Sequence, residues 1–301
     1  MPFYADYCIN QADYVEAAIR SGKASFMART FLITGVSSGF GRAFAEAALS
    51  DGHIVAGTVR NDADKQKFEA LGAGAHALIL DVTDTGAIAP AVADIENRIG
   101  AIDVLVNNAG YGHEGILEES SIDDLRRQFE VNVFGAVAMI QAVLPSMRRR
   151  RAGHILNITS MGGIITLPGL SYYHGSKFAL EGISESLGKE VKDLGIKVTA
   201  VEPGGFRTDW AGRSMVRAAR SIGDYDAIIE PIRKRRMELS GWQIGDPKKA
   251  AQAMLKVALS VNPPAHLLLG SDAVRLVEEK IKSLRADFDA WKSVSLSTDV
   301  A

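Results

Sequence analysis

The stretch Thr30-Phe31-Leu32-Ile33-Thr34-Gly35-Val36-Ser37-Ser38-Gly39-Phe40-Gly41-Arg42 decides how the chain is read. Thr30–Thr34 is a short run without polar alternation, the pattern of a strand covered on both faces. Beyond the glycines, Phe44, Leu49 and the neighbouring alanines open an amphipathic helix. Three glycines at a strand-to-helix turn have a mechanical reading: one permits the tight turn, one lets the backbone approach a pyrophosphate, and one lets the helix pack close on the strand. The helix N-terminus offers free N–H groups and a positive dipole end to the phosphates. No Gly-Lys-Ser/Thr follows, so the turn is not a mononucleotide P-loop. Gly35-Val36-Ser37-Ser38-Gly39 also fits the nucleophile elbow of hydrolases, with Ser37 as nucleophile. That reading needs a late histidine, and His266, the candidate, opens an apolar run instead of sitting in a loop.

Working outward, short apolar runs alternate with longer amphipathic ones. Strands are expected at 30–34, 53–58, 75–80, 102–107, 154–159, 196–201 and 266–269. Ile88, Val92, Ile95 and Ile99 mark one helix between them, with Pro90 kinking its first turn or delaying its start. A helix over 123–149 is nearly apolar all round from Val131 to Leu144. Strand–helix alternation at this spacing means a doubly wound parallel α/β sheet of about seven strands with helices on both faces. Residues 28–301 are expected to form one such domain, and 1–27, with a short helix from Asp13 to about Arg20, an N-terminal extension.

The composition agrees. In 301 residues, 47% hydrophobic and 23% charged is the balance of a globular protein, not of a disordered chain. A net charge of -2 gives no basic field for nucleic acid or anionic lipid. The longest apolar stretch, Val131–Leu144, is shorter than the roughly 20 residues a membrane span needs. One cysteine, Cys8, excludes an internal disulfide, which suits a reducing cytoplasm, and the six histidines show no metal-ligand spacing.

Further motifs fall just after the expected strands, where doubly wound sheets bind ligands. Asp81-Val82 follows the third, Asn107-Asn108-Ala109-Gly110 the fourth, Ser160 the fifth, and Pro203-Gly204 the sixth, with Thr208 beyond. Tyr173-His174-Gly175-Ser176-Lys177 opens a helix. Together with Gly35–Gly41, these motifs resemble those of the short-chain dehydrogenase/reductase family, in the subgroup with a Thr-Gly-x-x-x-Gly-x-Gly turn that includes hydroxysteroid and retinol dehydrogenases. The resemblance covers residues 30 to about 205 and implies a Rossmann-type domain. By it, Asn132, Ser160, Tyr173 and Lys177 are the catalytic residues, with Lys177 also holding the nicotinamide ribose and Asn132 anchoring a relay water. Gly35, Ser37, Ser38, Gly39, Phe40, Gly41, Arg60, Asp81, Val82, Asn108, Ala109, Gly110, Tyr173, Lys177, Pro203, Gly204 and Thr208 are the expected cofactor wall, and no metal is implied.

The residue types suit hydride chemistry. Tyr173 and Lys177 at i and i+4 share a helix face, whereas Tyr172 is five residues from Lys177. A phenol with a reference pKa of about 10 is a poor acid–base group at neutral pH, and an ammonium about 4 Å away would lower it substantially. Tyr173 then exchanges the proton, and Ser160 hydrogen-bonds the substrate oxygen. Where an NAD-preferring fold carries an acid after strand two, this chain has Val59 followed by Arg60, a pattern that favours NADP(H) while leaving NAD(H) possible. Residues 206–245 are expected to lid the substrate, and Phe206, Trp210, Met215, Tyr225, Met237 and Trp242 imply an apolar carbonyl or secondary alcohol. Eight basic residues against four acids from Phe206 to Arg236 read as a solvated lid face. The apolar helices at 123–149 and from Tyr172 point to a homodimer or homotetramer. An epimerase or dehydratase, or a cofactor-sensing regulator, are the alternative functions.

Overall fold

The computed structural model describes residues 28–212 and 214–300. Residues 1–27, with the helix expected at Asp13–Arg20, lie outside the described residues. Seven strands form one parallel sheet: β1 (Thr30–Ile33), β2 (Ile54–Val59), β3 (Ala75–Ile79), β4 (Val104–Asn107), β6 (Gly153–Ile158), β7 (Ile196–Pro203) and β9 (His266–Leu269). Their order is β3-β2-β1-β4-β6-β7-β9. The order reverses between β1 and β4, where Phe31 lies opposite Val104 and Ile33 opposite Val106. A crevice opens at such a switch point, beyond the carboxyl ends of the strands.

Successive strand residues face opposite layers. Phe31, Ile33, Val104, Val106 and Leu156 pack against helices α1 (Gly39–Ser50) and α8 (Pro247–Ala258). Leu32, Leu105 and Ile155 face α3 (Thr85–Arg98), α5 (Gly135–Arg150) and α6 (Ser171–Val191). Phe31, Leu32 and Ile33 are all 0% exposed, which is why the strand reads as an unbroken apolar run. The helix α3 begins before Pro90, with Asp84 accepting Ala87 N–H as its N-cap. Ile88, Val92 and Ile95 are its buried stripe.

Helix α4 (Ile122–Phe129) runs through one π-helical segment, Glu130–Phe134, into α5. Among the described residues, Ile122–Arg150 is the one helix long and apolar enough to cross a membrane by length and composition. Here it is a core helix, with Met139, Ile140, Val143 and Met147 buried on the sheet.

One element escaped the sequence pattern. β5 (Gly112–Glu114) pairs in parallel with β8 (Met215–Arg217), tying the segment after β4 to the segment after β7. Both strands have three residues, too few for periodicity to register. Arg217, Arg220, Arg233 and Arg236 depart from the expected solvated basic face by pairing with acids, while Arg207, Lys234 and Arg235 are exposed as expected. Glu114, its side chain 1% exposed, accepts Arg233 Nε at 2.8 Å, lies 3.2 Å from Arg217 Nε and takes Arg236 on its other oxygen. Arg220 is held by Glu119 at 2.8 Å and Asp226 at 2.7 Å, the latter at the start of α7 (Asp226–Glu238). Met237 and Trp242, expected among the apolar residues of this segment, are 53% and 77% exposed.

Removing one partner from a buried ion cluster strands the charges that remain. Glu114→Ala is therefore expected to cost about 3 kcal/mol of stability. The check is a shift of the urea unfolding midpoint; an unchanged midpoint would contradict the role given to this cluster.

Candidate active site

The first βα turn is built by backbone need. Gly35 and Gly39 adopt φ of +73° and +61°, in the left-handed region that side chains disfavour. A Cβ on Gly41 would stand 2.3 Å from the Gly35 carbonyl oxygen, so this glycine sets the contact of helix on turn. The turn is clamped from β4. Asn108 Nδ2 donates to the Thr34 and Gly35 carbonyls at 2.9 and 3.0 Å, and the N–H groups of Asn108 and Ala109 both donate to Thr34 Oγ1 at 2.9 Å. The hydrolase alternative loses its histidine: His266 lies on β9, 2.7 Å from Glu202 Oε1, at the edge of the sheet.

A cleft of about 1310 Å³ runs over the carboxyl ends of the strands. Its wall brings together Gly35, Ser37, Ser38, Gly39, Phe40, Arg60, Asp81, Val82, Asn108, Ala109, Gly110, Ser160, Tyr173, Lys177, Pro203, Gly204 and Thr208. Two of the expected residues stand behind the wall. Gly41 is buried at the helix–turn contact, and Asn132, in the π-helical segment, is 1% exposed. Asn132 Oδ1 accepts the Tyr111 N–H at 3.1 Å, and its Nδ2 donates to the Tyr111 carbonyl and to Ser176 Oγ, each at 3.1 Å. A π-turn widens the helix locally and often marks a functional position. Here it lies where Asn132 bridges the end of β4 to α6.

Ser160 follows β6 and caps the short turn Met161–Gly163, accepting the Gly162 N–H at 2.9 Å. Tyr173 and Lys177 lie on the first two turns of α6. The phenol packs against Trp210, ring centroids 5.0 Å apart, in a cluster with Leu170 and Met215. Burial pushes the phenol up to about 12, while a hydrogen bond with Ser160 acts in the opposite sense. Lys177 Nζ donates to the Ile158 carbonyl at 2.8 Å and stands 5.8 Å from the tyrosine ring centroid. Burial lowers this lysine to about 8, with Glu181 opposing. In the folded chain desolvation outweighs the Ser160 hydrogen bond and the phenol is raised, where the sequence led to the expectation of a lowered tyrosine. Tyr172 points elsewhere, its hydroxyl donating to the Ser120 carbonyl at 2.9 Å and its ring stacked on His113. Arg60 lines the cleft; Asp64 does too, its carboxylate accepting Asn61 Nδ2 at 3.0 Å.

Sequence reasoning quoted Thr34, Asn107 and Ser176 within motifs without giving them a supporting role, and it missed Asn157, whose side chain shares a 2.8 Å bond with Asn107. It also missed the cluster behind Lys177. There Glu181, Glu202 and His266 converge. None of these has a motif, because each is recruited from a different element.

The short chain dehydrogenase family matches over residues 29–217, and the chain belongs to that family. It is 38% identical over 259 residues, 85% of this chain and 93% of the other, to a 3-ketodihydrosphingosine reductase of Bacteroides thetaiotaomicron. A solved short-chain dehydrogenase from Streptomyces avermitilis is 41% identical, covers 91% of this chain and all of its own, and superposes with a TM-score of 0.85. A more distant neighbour, a serine dehydrogenase in closed form with NADP+, is 25% identical, with 80% of this chain and 94% of that one covered and a TM-score of 0.68. The chain is an NAD(P)-dependent oxidoreductase of the short-chain type.

The Glu181 cluster gives the site a pH dependence in stability. Burial raises Glu181 to about 7, Glu202 and Glu185 add to the rise and His266 opposes it, and neither carboxylate oxygen has a hydrogen-bond partner. A carboxyl whose folded pKa lies above its unfolded value stabilises the fold below the unfolded value and loses that contribution as pH rises through about 7. Glu181→Gln should therefore lose less thermal stability than the parent between pH 5 and pH 8. Parallel melting curves for the two proteins across that range would contradict the assignment.

Proposed function

We propose that the chain interconverts a ketone and a secondary alcohol with a largely apolar body, using NADP(H). The observation that carries this reading is the placement of the Tyr173 phenol, buried against Trp210, Leu170 and Met215, with Ser160 beside it and Lys177 one turn further along α6. Ser160 hydrogen-bonds the substrate oxygen where negative charge develops. Tyr173 delivers the proton to that oxygen in reduction and removes it in oxidation. With its pKa at about 12 the phenol is protonated at neutral pH, the state required to reduce a carbonyl. Lys177 keeps positive charge behind it, and Asn132 holds the Gly110–Tyr111 segment that faces the lysine.

The residues present fit a dinucleotide. Positive-φ glycines and the start of α1 suit a pyrophosphate. Arg60 would take a 2′-phosphate; Asp81 and Val82 line the same end, and Asn108, Ala109, Gly110, Lys177, Pro203, Gly204 and Thr208 the other. When bound, the nicotinamide supplies or accepts the hydride. The segment 206–245 serves as lid, with Trp210, Ile232 and Leu239 on its cleft side. The 3-ketodihydrosphingosine reductase among the relatives, and NADP+ in a structural neighbour, support a ketone substrate and this cofactor. The single cysteine and near-neutral charge fit a cytoplasmic enzyme. Ile122, Phe134 and Phe178, exposed on α4 to α6, suit pairing with a second copy.

Tyr173→Phe should lower turnover of ketones by about a hundredfold to ten-thousandfold in an NADPH absorbance assay. Cofactor affinity should stay unchanged. Tyr172→Phe should keep turnover, since its hydroxyl serves only Ser120, and Lys177→Met should lose turnover and cofactor binding together. A Tyr173→Phe enzyme of normal turnover would overturn the proposal.

Arg60→Ala should weaken NADPH roughly tenfold or more, the loss of a charge-assisted contact, and leave NADH unchanged. Fluorescence titration reads both. Binding of NADH as tight as NADPH by the parent would refute the preference.

A further inference from the structure

Behind Lys177, ionisable side chains from α6, β7 and β9 meet at the open edge of the sheet. His266 opens β9, the edge strand, opposite Ala200 of β7. Glu202 stands two residues beyond Ala200, so it leaves the same face of the sheet as His266. That face is covered by α6, whose Leu187 and Val191 share an apolar core with Ile196 of β7. Glu181 and Glu185, four residues apart, lie on one side of α6. His266 Nδ1 is 2.7 Å from Glu202 Oε1 and 3.8 Å from Glu181 Oε2, and its Nε2 is 3.7 Å from Glu185 Oε1.

The buried acids lack partners of their own. Glu202 is fully buried and Glu181 is 5% exposed. Both carboxylate oxygens of Glu181 and the second oxygen of Glu202 are buried without a hydrogen bond. A buried acceptor left unmet carries its full desolvation penalty. Among the described residues no lysine or arginine forms an ion pair with Glu181, Glu185 or Glu202. Lys177, one turn before Glu181, feels its charge but donates to the Ile158 carbonyl at 2.8 Å. A proton on His266 Nδ1 serves Glu202 and leaves the oxygens of Glu181 unmet. A cation between the three side chains would meet all of them at once.

We propose that Glu181, Glu202 and His266 form a binding site for a divalent transition cation, zinc being the one the donors suit best. One donor atom from each side chain lies within 4.8 Å of the other two. The 2.7 and 3.8 Å separations at His266 Nδ1 bracket the roughly 3.3 Å between donors of a tetrahedral zinc. With the metal on Nδ1, the Nε2–H faces Glu185, an arrangement that fixes the ring and raises its basicity as a ligand. Three protein donors leave a fourth position toward solvent, on the side where His266 is 44% exposed. Magnesium and calcium prefer an all-oxygen shell, so the imidazole selects against them. The ion ties the edge of the sheet to the helix that carries Tyr173 and Lys177. No ligand spacing shows in the sequence, because the three donors come from three elements.

Isothermal titration of zinc chloride into the full chain, stripped with EDTA and dialysed, tests the site without substrate or nicotinamide. One zinc should bind per chain. His266→Ala, at an exposed position that leaves the core intact, should weaken binding at least a hundredfold, and Glu181→Gln should weaken it too. Glu185→Gln, which touches only the far side of the ring, should weaken it about tenfold. Zinc at a hundred times its Kd should raise the melting temperature of the parent by about 5 °C, and magnesium at the same concentration should not. The pH profile of Glu181→Gln against the parent is accordingly read in EDTA. Absence of zinc binding by the parent would overturn the proposal. So would zinc held as tightly by His266→Ala, which would put the metal elsewhere in the chain, or equal stabilisation by magnesium.

Discussion

The side chain of Asn108 and the hydroxyl of Thr34 hold the structure's central junction. Between them they tie the end of β4 to the glycine turn after β1 through four hydrogen bonds of 2.9 to 3.0 Å. This is the point where the strand order reverses, and the backbone ladder reaches it with the Thr34 N–H donating to the Val106 carbonyl at 3.0 Å; beyond that bond the side chains make the tie. Without that clamp the turn would have no fixed distance to the opposite wall. With it, the free N–H groups at the start of α1 face a cleft of set width.

From that junction the polar groups continue inward as a connected series. Asn107 donates to Asn157, and Asn157 to Ser184 on α6. Asn132 joins Tyr111 to Ser176 on the same helix. These bonds lie between the sheet and the helix that carries Tyr173 and Lys177. Displacing α6 would break these buried bonds, and Asn107 Oδ1 is already without a hydrogen-bond partner, so the network has little freedom to rearrange. The candidate side chains Tyr173 and Lys177 are therefore placed from behind, by groups that stand outside the cleft wall.

Burial sets the electrostatics of the site. Tyr173 is pushed up and Lys177 down, each away from its charged form, because apolar neighbours and the sheet exclude water. The pair is held in the folded chain as a phenol and a weakened ammonium. Behind them Glu181 is raised for the same reason. Three ionisable groups on successive turns of one helix are thus all shifted by desolvation first.

The sequence by itself determined the fold class and pointed to the candidate site residues. Unbroken apolar runs at 30–34 and 154–159, the glycine turn, and Tyr173 four residues before Lys177 are local patterns, and local patterns survive in one dimension. Most expected strands lie within two residues of those observed. Only the tertiary structure decided the rest. The β5–β8 pair joins residues about a hundred apart through three-residue strands, and Glu114 gathers arginines from 217 to 236. Their charge read as solvated until the fold supplied a partner. The tyrosine's shift likewise depends on how much water the packed chain excludes from the phenol, and no spacing between two residues encodes that.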